Sequence, residues 1–134
     1  MLSSSTLAFL SQMLEKSHAA YSEGGLCYTY VEAANQAHSR FPEGSSGSLA
    51  LTELEIGELG RFIEMSQGYQ KSQSVTTECF ALAEQLFGML QTDLEFDVIA
   101  WSLEDGGYDM NACLKMARRT DNCFFSLELF WSVD

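Results

Sequence analysis

The chain has 134 residues, 46% hydrophobic and 12% aromatic. It is long enough to bury one core without disulfide or metal staples and too apolar for a disordered segment. Nineteen acids against seven bases give a formal charge of −12, a field that repels nucleic acid and anionic lipid and speeds encounter with a basic partner. The charge is concentrated, because residues 72–114 hold eight carboxylates and no Lys or Arg.

The opening MLSSSTLAFLSQMLEK lacks a basic n-region, and its apolar residues are spaced, which argues against a signal peptide. No window approaches the roughly 18 unbroken apolar residues of a membrane span. Cys27, Cys79, Cys113 and Cys123 form no C-x-x-C, so zinc and thioredoxin-type redox sites are not indicated. The expectation is a cytoplasmic protein whose thiols stay reduced and pack as small hydrophobes.

In chain order, Leu7, Leu10, Leu14 and Tyr21 recur at helical spacing, which predicts an amphipathic helix over 5–22 that stops at SEGG. Over 26–41, Cys27, Tyr30, Val31, Ala34 and Phe41 also fit a helix, although CYTYV alone would pass for a strand; Pro42 closes the segment. PEGSSGS is a flexible loop, too short to separate two domains. In LTELEIGELGRFIEM, Thr52 and Glu55 make a capping box, with Leu51 and Ile56 at the staple positions, so a helix starts there and Leu59, Phe62, Ile63 and Tyr69 continue it.

A helix over 77–91 buries Cys79, Ala83, Leu86 and Leu90. Thr92 and Glu95 form a second S/T-x-x-E box, which predicts a helix over 93–104 despite its alternation. Another, over 110–119, follows Asp109 as N-cap and ends in Arg118 and Arg119. The two acid-Gly-Gly sequences read as helix stops. In the tail, Phe125, Leu127, Leu129, Trp131 and Val133 alternate with Ser126, Glu128, Phe130 and Ser132. That period of two predicts a strand, for which only 26–31 could supply a partner. The fold expected is mainly α: one domain over 1–134, a bundle of five to six helices that allows a short C-terminal β element.

On the helix expected over 93–104, Asp93, Asp97, Ala100 and Glu104 fall in one stripe bordered by Trp101 and Phe96. Asp105, Tyr108 and Asp109 continue it into the next loop. Three sharper chemistries fit less well. A calcium loop would use Asp93, Glu95, Asp97 and Glu104, but Val98 stands where the turn requires Gly. No spacing singles out a hydrolytic carboxylate pair. Glu15-x-x-His18 is half of a di-iron motif that has no second half here. Gly-rich phosphate loops and nucleophile elbows are missing, so no cofactor, metal or catalytic residue is assigned.

Size, charge and the lack of catalytic motifs point to a non-enzymatic acidic binding protein, an inhibitor or antagonist that docks on a basic protein surface. A toxin-neutralising protein of the immunity type is the natural instance, its partner a nucleic-acid-handling enzyme with a basic site. The expected contact residues are Asp93, Asp97, Trp101, Glu104, Asp105, Tyr108 and Asp109, with the two aromatics as anchors and the carboxylates as rim. Two alternatives stay open: an acidic secretion chaperone for an unfolded client, and a small helical enzyme or ligand-binding domain whose pocket is assembled from distant residues.

Overall fold

The computed structural model describes residues 1–21, 24–34, 50–68 and 76–133. Its elements are α1 (Ser4–Ala20), β1 (Gly24–Ala34), α2 (Glu53–Ser66), α3 (Thr77–Leu94), β2 (Val98–Asp105), β3 (Asp109–Arg118) and β4 (Cys123–Val133). The four strands make one antiparallel sheet in the order β1-β4-β3-β2. This mixed α/β architecture overturns the expected helical bundle.

The three helices form where side chains satisfy their first turns. Ser3 Oγ accepts from the Thr6 amide, and Thr76 Oγ1 from the Cys79 amide, each at 3.2 Å. At α2 the capping box is complete: Thr52 Oγ1 accepts from the Glu55 amide at 3.1 Å, and the Glu55 carboxylate accepts from the Thr52 amide at 2.9 Å. The buried Glu64 of α2 accepts from the Thr76 amide at 3.1 Å and so ties the end of one helix to the start of the next. Tyr21, just beyond α1, donates its hydroxyl to the Met65 carbonyl and stacks edge-on against Trp131, ring centroids 5.5 Å apart.

Three segments expected as helix are strand. Over 26–34, Leu26, Tyr28 and Tyr30 alternate onto the core side, and β1 pairs along its whole length with β4, Leu26 opposite Trp131 and Tyr30 opposite Leu127. The tail is thus a strand with 24–34 as its neighbour; the remainder of the segment expected as helix, residues 35–41, lies outside the described residues, as do the PEGSSGS loop and Tyr69. The helix expected over 93–104 fails because α3 runs straight through Thr92 to Leu94. Glu95 then takes a left-handed conformation, φ 49° and ψ 41°, and ends it. The second capping box therefore does not form, and Ile99, Trp101 and Leu103 turn to the core side as a strand. Over 110–119, Met110, Ala112, Leu114 and Met116 bury on one face at period two, opposite Trp131, Leu129, Leu127 and Phe125. Arg118 and Arg119 close a strand rather than complement a helix dipole.

The core fills the space between the helices and one sheet face. Leu10, Leu59, Phe62, Ile63, Leu86, Leu90, Leu94, Leu127 and Leu129 are fully buried there, each worth roughly 1.5–3 kcal/mol of apolar transfer. The opposite sheet face carries Thr29, Val31, Ser102, Glu104, Lys115, Glu128 and Phe130, all exposed. Among the described residues no helix is long and apolar enough to cross a membrane.

Candidate functional site: the β2–β3 hairpin and the cleft beneath α2

The seven expected contact residues do not share one stripe. Asp93 sits in the last turn of α3, where its carboxylate accepts from the Ser3 amide at 3.0 Å, the Ser3 hydroxyl at 3.1 Å and the Thr6 hydroxyl. Partial burial pushes its pKa up, but these hydrogen bonds to the charged form outweigh burial and hold the carboxyl below its ordinary range. It fastens α1 to α3. Asp97 precedes β2 and accepts from the Arg119 side chain at 3.2 Å and the Arg119 amide at 3.3 Å. It pins the β3–β4 corner, eight residues and about 26 Å of strand from Asp105.

Trp101 is half-buried on the core side of β2, and its indole N–H donates to Glu58 Oε1 of α2 at 2.7 Å. It bridges the sheet to a helix, so it is not the free anchor that the stripe suggested. Asp93, Asp97 and Trp101 are thus structural ties rather than members of one contact surface.

Glu104, Asp105, Tyr108 and Asp109 do come together, at the tip of the β2–β3 hairpin. Asp105 Oδ1 accepts from the Gly107 amide at 2.9 Å, and the Gly106 amide donates to the Asp109 carbonyl at 2.8 Å. Gly107 is required by its backbone, and a side chain at Gly106 would have to displace the Asp109 carboxylate. Gly107 has φ +90°, and a Cβ on Gly106 would lie 2.1 Å from Asp109 Oδ1. Asp-Gly-Gly is a hairpin turn here, not the helix stop its composition suggested. It presents Tyr108 with 81% of its surface exposed.

Sequence reasoning did not find the cleft beside the hairpin. Glu58, Arg61 and Met65 of α2 form one wall, Leu103 and Asp105 of β2 and Met110 of β3 form the other, and Gly107 closes one end. Its volume is about 410 Å³. The i, i+3, i+7 spacing of the α2 residues was legible, but the strand they would face was not. Among the described residues no group of three or more His, Cys, Asp or Glu is placed to hold a metal ion. Compared with family models, characterised proteins and solved structures, the chain shows no match.

Proposed function

We propose that this is a non-enzymatic binding protein, an antagonist that docks its β2–β3 hairpin on a basic protein surface in the cytoplasm. The observation that carries this reading is Tyr108: an aromatic side chain 81% exposed at the apex of a hydrogen-bonded hairpin, with Glu104, Asp105 and Asp109 around it. Tyrosine is among the residues that anchor interfaces, because its ring offers apolar area to a partner while its hydroxyl can stay hydrogen-bonded. The surrounding carboxylates supply steering and a polar rim. A nucleic-acid-handling enzyme is a fitting target, because its working surface is basic and an acidic hairpin competes for it.

The test is kinetic, made on the partner recovered from the native cell. Glu104→Lys with Asp109→Lys should slow association and flatten its salt dependence, whereas Tyr108→Ala should speed dissociation, with melting temperature unchanged in both. Binding that ignores both changes at low salt would refute the reading.

The cleft supports a second reading, a small-ligand site, because its lining combines apolar Met65, Leu103 and Met110 with charged Glu58, Arg61 and Asp105. A melting temperature raised by a small molecule, and no longer raised after Met110→Trp fills the cleft, is the sign of that alternative.

A further inference from the structure

β2 is the last strand of the sheet, with β3 on one side only. Two hydrogen bonds show how its backbone points. The Gly106 amide donates to the Asp109 carbonyl, and the Asp97 amide to the Ala117 carbonyl, so the odd-numbered carbonyls of β3 face β2. In the observed register these belong to residues opposite the even-numbered positions of β2. An antiparallel ladder then leaves the N–H and C=O groups of Ile99, Trp101, Leu103 and Asp105 directed away from β3. Among the described residues no further strand meets them. Leu103 and Asp105 also line the cleft, which runs along the strand from the Glu58 end to Gly107 at the hairpin.

An edge strand lying beside a groove roofed by a helix is the arrangement that accepts an added strand. We infer that the cleft between α2 and β2 captures an extended segment of a basic partner as an additional strand of the sheet. The inference rests on the reading that the hairpin meets a basic protein, and it names the part of that protein which enters. Side chains of an added strand alternate between the two sheet faces. Those on the helix side fall on Met65, Leu103 and Met110, where two flexible thioethers accommodate varied apolar shapes. Those on the other side fall beside the exposed Glu104. The occupant therefore alternates apolar residues with Lys or Arg. The other edge, β1, offers less charge to such a segment, because Glu32 is engaged by the N-terminal ammonium and the Tyr30 hydroxyl.

The experiment uses a fluorescein-labelled hexapeptide that alternates valine and lysine, together with two copies, one N-methylated at the valines and one at the lysines. All three carry the same charge and side chains, and they differ only in which backbone donors remain. Added antiparallel with valines toward the cleft, the strand points its valine amides at β2. Valine methylation should then weaken binding at least tenfold, and lysine methylation by no more than about twofold. Amide resonances of Trp101, Leu103 and Asp105 should shift on titration with the parent peptide. Equal affinity of the two methylated peptides means that charge alone holds them, and it overturns strand addition. So does failure of the parent peptide to bind. In parallel, Tyr108→Ala should weaken the intact partner and leave the peptide unaffected. Loss of partner binding in Tyr108→Ala, with no distinction between the methylated peptides, would sink the cleft inference while leaving the hairpin reading intact.

Discussion

Replacing Asp93 by Asn tests how α1 is held. One carboxylate oxygen accepts from Ser3 N, Ser3 Oγ and Thr6 Oγ1. A hydrogen bond to a charged group contributes about 1.5–3 kcal/mol when buried. The two bonds from Ser3 lie at the surface and only the Thr6 bond is partly buried. Screening therefore reduces the whole cluster to about 2 kcal/mol. Asn keeps the shape and one acceptor but loses the charge, so Asp93→Asn should cost about 1–2 kcal/mol at pH 7, visible as a lower urea midpoint with unchanged slope. The pH dependence follows from the depressed folded-state pKa. Such a group contributes fully above the unfolded aspartate value of about 3.9 and loses its contribution as pH falls through the lower folded value. The difference between wild type and variant should therefore shrink steadily on acidification below about pH 4. A difference that is the same at pH 7 and pH 3, or nil at both, would refute the reasoning.

Three other outcomes follow from the same geometry. Glu95 holds φ 49° at the end of α3; Glu95→Gly should therefore raise stability by about 1 kcal/mol, and a loss in chemical denaturation would contradict the strain assigned there. Trp101→Phe removes the indole donor to Glu58 and should cost about 1 kcal/mol, with a comparable penalty for Glu58→Ala, which deletes the acceptor, that is not additive in the double variant. All four cysteines are free thiols, so a thiol reagent without reductant should find four in denaturant. In the native state Cys27 should react first and Cys79 last, because Cys79 is buried and its burial raises the thiol pKa; two missing thiols would mean a disulfide.

The helices were legible because their signals are local. Thr52 and Glu55 sit three residues apart and cap each other, and that pattern can be read without knowing the fold. Of the strands, only the tail was legible, because Phe125 to Val133 alternate plainly; the other three were not, because their decisive partners are distant. Thr92 and Glu95 have the same spacing as the true box, yet Thr92 lies inside a helix that starts fifteen residues earlier at Thr77. Met110, Ala112, Leu114 and Met116 alternate, but with Cys113 and Ala117 between and after them a helical count also succeeds; β4, some fifteen residues on, decides the matter. The candidate site divided in the same way. Tyr108 among carboxylates was visible because the turn is local. Asp97 and Trp101 seemed equally available until Arg119 and Glu58, 22 and 43 residues away, satisfied them.

The central claim is that the hairpin tip touches a basic protein, and site-specific photocrosslinking in the native cell tests it most directly. A benzophenone amino acid replaces Tyr108 at the tip or, as a control, the exposed Glu84 on α3. Position 108 should give an adduct with one protein of basic surface, diminished at high salt, and position 84 should not. No adduct at 108, or the same adducts at both positions, would contradict the account.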